Sequence, residues 1–242
     1  MKDGLLLRNP CDAAEPPSAR EARAPEMTCW SAAQLSAFMA WAREHSDHHG
    51  LWHVLAHTGA RRGEMLALRW KDIDLDAATV SIRRSAGVVR TAGESAGVVE
   101  GDTKSGKPRV VDLDPGTVAV LRAHRKARGG VALQLARDDA LVFGTIEDTY
   151  RNPEHTSRSF AADVARCRKD LGEDALPVIR LHDLRHTHAT LLLLAGVPVH
   201  VVSERLGHAS AVVTMTVYAH VLPGSQREAA GLFARLIEEA GA

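Results

Sequence analysis

Polar residues concentrate in four short stretches where the surrounding apolar pattern does not require them. A planar guanidinium can bind two oxygens of an anion at once, and a phenol becomes a nucleophile once its proton is removed. Side chains of these types could therefore bind an anionic group and attack it. The stretches are Thr58-Gly59-Ala60-Arg61-Arg62-Gly63-Glu64, Thr103-Lys104-Ser105-Gly106, Leu181-His182-Asp183-Leu184-Arg185-His186 and Leu206-Gly207-His208-Ala209-Ser210, followed by Tyr218.

In this order the stretches resemble the catalytic domain of the tyrosine recombinase and phage integrase family. That domain carries an arginine, a hairpin lysine, a His-x-x-Arg, a Gly-His and a tyrosine. Each motif alone is common in unrelated chains, whereas five in sequence at suitable separations are specific. The resemblance covers about residues 30 to 236 and implies a site-specific DNA recombinase. The catalytic set that it implies is Arg61, Lys104, His182, Arg185, His208 and Tyr218.

The resemblance also implies a role for each of these residues. Arg61 and Arg185 would bind the phosphate, Tyr218 would attack it to form a 3′-phosphotyrosyl link to DNA, and Lys104 would protonate the leaving 5′-oxygen. His182 and His208 would be hydrogen-bonding or proton-handling partners. Glu64, three residues after Arg61, would have a supporting role.

Physical chemistry accounts for these residue types. Attack on a phosphodiester passes through a five-coordinate phosphorus whose non-bridging oxygens gain negative charge, and two guanidinium groups can meet that charge. The reaction then needs neither a metal nor another cofactor. The covalent ester keeps the energy of the phosphodiester, so a second hydroxyl can reseal the strand without ATP.

Composition gives a weaker signal for DNA. The net charge is zero, but residues 61 to 128 hold 14 Lys and Arg against 9 Asp and Glu, a modest local surplus. A solvated surface would explain that surplus equally well. We expect DNA contacts at Arg62, Lys107 and Arg109.

Some positions have competing interpretations. Tyr218 could be an ordinary helix residue with its ring in the core and its hydroxyl at the surface. Arg62 could replace Arg61, and Lys107 could replace Lys104, although the spacing to Glu64 and the Thr-Lys pair favour the first of each. His208 could simply occupy a turn after Gly207.

Two other classes of function compete with recombination. His182 and His186 stand four residues apart beside Asp183, as in a metal-dependent hydrolase, but Arg185 would place a fixed positive charge near the cation and no third ligand follows at a recognisable spacing. A module that binds DNA without cutting it is disfavoured because every catalytic position holds a competent residue.

The elements that must position these residues are mostly helices. Apolar periodicity predicts a helix after Ser31, helices over 51–57, 62–68, 115–128 and 156–171, and a helical C-terminal region over 182–195, 198–206, 210–218 and 225–239. An alternating strand at 79–83 and extended pieces near 98–99 and 109–113 predict a hairpin tipped by 104–108. The expected fold is mainly α (α+β), with a small three-stranded antiparallel sheet, as in DNA breaking-rejoining enzymes.

We expect residues 1–29 to be a linker with the remnant of a missing N-terminal DNA-binding domain, and residues 30–242 to be the catalytic domain. Without that domain, DNA binding by this chain should be weak and salt-sensitive, with little complete recombination. The expected partners are duplex attachment sites, copies of the chain in a tetrameric synapse, and an accessory directionality factor. The last helix could dock in cis or on a neighbouring protomer. Three scattered cysteines and no membrane or signal pattern indicate the cytoplasm.

Overall fold

The computed structural model describes residues 27–89, 97–102, 108–219 and 226–240. Helices dominate these ranges, and within them no helix is both long and apolar enough to cross a bilayer. The helices are α1 Ala32–His45, α2 His49–Thr58, α3 Arg62–Leu66, α4 Pro115–Val131, α5 Pro153–Leu171, α6 Asp183–Leu194, α7 Val199–Leu206, α8 Ala211–Tyr218 and α9 Gln226–Ala240. The strands are β1 Ile73–Asp74, β2 Thr79–Ile82, β3 Arg84–Val89, β4 Gly97–Asp102 and β5 Arg109–Asp112.

Side-chain caps fix where several helices begin. Ser31 accepts a hydrogen bond from the Gln34 amide, and the Gln34 side chain accepts one from the Ser31 amide, so α1 begins where the sequence predicts. The helix α5 begins three residues earlier than predicted. Asn152 caps its first amides, and Pro153 suits the first helical position because its missing N–H needs no partner there.

The strands form two antiparallel sheets. The three-stranded sheet has the order β1-β2-β5, and β3 pairs with β4 in a separate two-stranded ribbon. In register, Val80 lies opposite Val111, and Gly87 lies opposite Val99. The expected three-stranded antiparallel sheet is therefore present. The predicted hairpin between β4 and β5 is wrong, because each of these strands pairs with a partner that precedes both.

Two apolar clusters hold the described residues together. The larger cluster contains residues from each of the helices α1 through α5 and from the three-stranded sheet. It is built around Trp30, Phe38, Trp52, Trp70 and Phe160. The smaller consists of Ala189, Leu193, Val202, Leu206 and Tyr218, from α6, α7 and α8. The predicted nucleophile is thus a member of the smaller core.

Candidate active site

One cavity of about 460 Å³ collects the predicted catalytic residues of the described ranges. Arg61 reaches it from the start of α3, His182 and Arg185 from the start of α6, His208 from the turn after α7, and Tyr218 from the end of α8. Residues separated by up to 157 positions therefore line one pocket. Lys104 and Lys107 lie outside the described residues.

The backbone before Arg61 is shaped by a glycine. Gly59 ends α2 with φ 64°, and a Cβ there would lie 2.7 Å from side-chain atoms of His188 and Leu206. Both the left-handed conformation and the close packing favour glycine. The chain then turns into α3, which places Arg61 at the helix start.

Glu64 holds Arg61 at two points. Its Oε2 accepts a hydrogen bond from the Arg61 amide at 2.8 Å, and its Oε1 accepts one from Arg61 Nη1 at 2.9 Å. Arg61 Nη2 donates to the Gly207 carbonyl oxygen at 3.3 Å, which ties the guanidinium to the turn before His208. The structure therefore gives Glu64 the position of a supporting residue.

Arg109 binds the same carboxylate. Its Nη1 and Nη2 donate to Glu64 at 2.9 and 2.7 Å, and its Nε donates to the Arg205 carbonyl oxygen at 3.0 Å. Burial alone would raise the pKa of Glu64, but the hydrogen bonds and charge of Arg109 outweigh it and lower that pKa. With its side chain 7% exposed, Arg109 offers its charge to Glu64 and not to the surface where we expected a DNA contact.

Arg185 is almost fully buried, at 4% exposure. Its Nη1 donates to the Gly59 carbonyl oxygen at 2.7 Å, while its buried Nη2 has no hydrogen-bond partner among the described residues. Burial, together with the positive charge of Arg61, lowers the pKa of Arg185 to about 9, so the group still carries its charge at neutral pH. An unpaired buried donor is costly, and an anionic oxygen in the pocket would satisfy it.

His208 follows Gly207, which ends α7 in the left-handed conformation at φ 67°. The Nδ1 of His208 lies 2.7 Å from the Thr214 hydroxyl, which fixes the ring from α8. Burial and the charges of Arg185 and Arg61 lower the pKa of His208 to about 4, so the ring is neutral at pH 7. Desolvation, with His186 and Arg185 nearby, likewise lowers the pKa of His182 to about 4.

Tyr218 is 1% exposed, and its hydroxyl lies 2.7 Å from His186 Nδ1. Burial raises the pKa of Tyr218 to about 12, against the opposing effect of the Arg185 charge. The ring does pack in a core, but Tyr218 also lines the pocket, and its hydroxyl contacts His186 instead of lying at the surface. The other tyrosine, Tyr150, lies elsewhere, with its hydroxyl bonded to Glu100 and Arg69.

His186 is the ionisable residue of this pocket that the sequence did not place in the catalytic set. Its spacing from His182 suggested only a metal pair. In the structure the two rings meet edge to face at 5.0 Å, and Asp183 is bound by Arg180 at 2.9 Å. Within the described ranges, no group of three or more His, Cys, Asp or Glu residues is arranged to hold a metal.

Arg62 points away from Arg61, toward α5. Its Nη1 donates to the Ser157 hydroxyl at 2.6 Å, and the residue is half-buried. Arg61, and not its neighbour, is therefore the arginine that lines the pocket.

Comparison with known proteins identifies the family of the chain. A model of the phage integrase family matches residues 30–224. The ICEBs1 integrase of Bacillus subtilis (strain 168) is 29% identical over 235 residues, which cover 95% of this chain and 60% of that protein. A putative prophage phiRv2 integrase of Mycobacterium tuberculosis is 31% identical over 180 residues, covering 74% of this chain and 44% of the relative. The chain thus spans 44 to 60% of the length of these relatives.

Solved structures show the same fold. The integrase of the Tn1549 transposon, solved with transposon right end DNA, superposes with a TM-score of 0.70 at 22% identity and covers 88% of this chain and 67% of its own. The XerA recombinase gives a TM-score of 0.62 at 23% identity over 87% of this chain and 66% of its own. With a family match over most of its length and the catalytic-domain fold around the pocket, the chain belongs to the phage integrase family.

Proposed function

We propose that residues 30–242 form the catalytic domain of a site-specific DNA recombinase that cleaves and rejoins strands through a 3′-phosphotyrosyl link at Tyr218. One observation carries the proposal most directly. Tyr218, Arg61 and Arg185 line one pocket, and the buried Nη2 of Arg185 has no hydrogen-bond partner in the described part of the chain. Such a pocket places a nucleophile beside two guanidinium groups that can bind the same anionic group.

The charges of the pocket suit a phosphodiester in particular. Its non-bridging oxygens gain negative charge as phosphorus becomes five-coordinate, and preorganised donors stabilise that charge without reorganising. Arg61 is held by Glu64 and Arg185 by the Gly59 carbonyl, so both guanidinium groups are fixed before substrate arrives. His208, fixed by Thr214, would add a hydrogen bond to one of the same oxygens.

Lys104 is our proposed general acid. A compact ammonium on a flexible stem can reach the leaving 5′-oxygen and give it a proton. Tyr218 and the strand then form a phosphate ester, which a second 5′-hydroxyl can attack to reseal DNA. Neither step consumes ATP, because the ester conserves the bond energy.

Capture of the covalent intermediate tests the proposal. We would incubate the chain with nicked suicide duplexes that tile the DNA on either side of its gene, in buffer with chelator, and separate the products under denaturing conditions. A protein–DNA adduct that vanishes in Tyr218→Phe is expected. An adduct unchanged by that substitution would show that another residue is the nucleophile. Binding with no adduct would favour a DNA-binding module.

Self-association on DNA is part of the proposal. The helix α9 presents Leu232, Phe233, Leu236 and Ile237 at helical spacing, and all four are between 51% and 67% exposed. Apolar surface of this kind usually marks an interaction site. We propose that α9 docks on a neighbouring protomer in a tetrameric synapse on bacterial DNA. An accessory directionality factor would join this synapse. Phe233→Asp should then abolish multimeric complexes on DNA in native gels and leave the monomer folded.

A further inference from the structure

The nucleophile has a hydrogen-bonding partner outside the set that the family resemblance supplies. His186 Nδ1 lies 2.7 Å from the Tyr218 hydroxyl oxygen, with ring centroids 5.8 Å apart. A buried hydroxyl needs an acceptor for its proton. Among the described residues, His186 Nδ1 is the side-chain nitrogen within hydrogen-bonding distance of that hydroxyl.

Two helices bring these side chains into contact. His186 stands one helical turn after His182 on α6 and directly after Arg185, while Tyr218 ends α8. All four residues line the same pocket. The imidazole therefore faces the nucleophile at the place where the phosphate would be bound.

The protonation states suit transfer from oxygen to nitrogen. Burial raises the pKa of Tyr218 to about 12, so the hydroxyl keeps its proton at neutral pH and needs a base to lose it. Burial lowers the pKa of His186, so its ring is neutral and can accept. The ionisable groups that face it are Arg180, His182, Asp183, Arg185, His208 and Tyr218.

We propose that His186 is a catalytic residue, the general base that takes the proton of Tyr218 during strand cleavage. As the tyrosine oxygen bonds to phosphorus, its proton passes to Nδ1 and His186 becomes an imidazolium. The bond from phosphorus to the 5′-oxygen breaks, and that oxygen takes a proton from Lys104. Resealing reverses each transfer, so the imidazolium returns its proton to the tyrosine oxygen.

This inference rests on the proposed recombinase function, and its experiment separates the two. The rate of adduct formation on the suicide duplex is measured between pH 5 and 9 for the wild type, Tyr218→Phe, His186→Asn and His200→Gln. Asparagine places an amide atom where Nδ1 was, so it keeps a hydrogen-bonding partner that cannot take up a proton. His200 is an exposed histidine on α7 and serves as the matched control.

We expect His186→Asn to slow adduct formation on the order of 10²-fold at pH 7, with His200→Gln unchanged. The wild-type rate should be level at neutral pH and fall as acid protonates His186. The variant rate should rise about tenfold per pH unit, because the phenolate fraction does so below its pKa. The inference would be overturned if His186→Asn formed the adduct as fast as the wild type. It would also be overturned if the variant were slower by the same factor at every pH. In both cases the adduct itself would still support the recombinase function.

If the wild type forms no adduct, the proposed function fails and the role of His186 fails with it. Should His186→Asn melt well below the wild type, His186→Ala takes its place, measured with and without added imidazole. Restoration of at least about tenfold by imidazole supports the base. If imidazole does not restore the rate of a folded His186→Ala variant, the inference is overturned.

Discussion

Arg109 and Glu64 form a two-point ion pair inside the protein, with nitrogen to oxygen distances of 2.9 and 2.7 Å. The Glu64 side chain is inaccessible to solvent, and its Oε1 also accepts a hydrogen bond from Arg61 at 2.9 Å. One buried carboxylate therefore neutralises an interior arginine and orients the arginine that lines the pocket.

Removing that carboxylate should cost much of the stability. Glu64→Gln keeps the shape of the side chain but leaves the buried Arg109 without its counter-charge, so we expect a loss of about 3–5 kcal/mol in the free energy of unfolding. Urea denaturation measures it. The matched control is Asp76→Asn, which breaks the surface pair of Asp76 with Arg122 and should cost under about 1 kcal/mol. Equal losses would mean that the interior ion pair contributes no more to the free energy of unfolding than the surface pair does.

Arg109 should contribute little to DNA affinity through phosphate contact. A side chain that neutralises a phosphate releases a counterion, and its removal lowers the slope of log affinity against log salt by about 1. We expect Arg109→Gln to leave that slope unchanged, although it weakens the fold. Arg62→Gln, at a DNA contact that we expected from the sequence, should lower the slope. Titration of duplex DNA at several salt concentrations checks both. A lower slope for Arg109→Gln would restore the surface role that we first expected for it.

Gly207 should tolerate no side chain. Its φ is 67°, and a Cβ would lie 2.7 Å from Arg109 Nη1 and 2.9 Å from its Cδ. Gly207→Ala therefore combines backbone strain with displacement of Arg109, and we expect it to cost more than about 1 kcal/mol and to slow adduct formation. Gly196→Ala is the matched control, since its φ is 83° and no atom lies within 4 Å of the added Cβ. Similar costs for the two would show that strain alone explains the effect.

Stability should fall as pH drops from 6.5 to 5. Burial lowers the pKa of His188 to about 3 and that of His53 to about 4, while unfolded histidine titrates near 6.5. Below that pH the unfolded chain binds protons that the folded chain does not, so the free energy of unfolding decreases. Urea denaturation at pH 7 and 5 measures the decrease. His188→Gln should reduce it, and the exposed His200→Gln should not.

Local chemistry made much of the fold predictable. Ser31 and Pro115 mark helix starts, and Gly196 and Gly207 follow helix ends, because caps and left-handed glycines act within a few residues of the backbone they satisfy. Motif order likewise brought Arg61, Arg185, His208 and Tyr218 into one predicted site, and the structure places all four on one pocket.

Long-range pairing was not predictable in the same way. Neighbouring extended segments favour a hairpin, yet Val99 pairs with Gly87 and Val111 with Val80, because register depends on the sheet into which each strand fits. The interior place of Arg109 depends on Glu64, which is 45 residues away. The partner of Tyr218 was not predictable either, because only the folded chain brings the end of α8 within hydrogen-bonding distance of His186 on α6.

Tyr218 belongs to the smaller apolar cluster as well as to the pocket. The nucleophile that we propose therefore depends for its position on a small apolar cluster. Small clusters open at lower free energy than large ones, so α7 and α8 should loosen before the tryptophan-rich core melts. On heating, the chain should lose its capacity to form a covalent link to DNA while most of its helical circular dichroism remains.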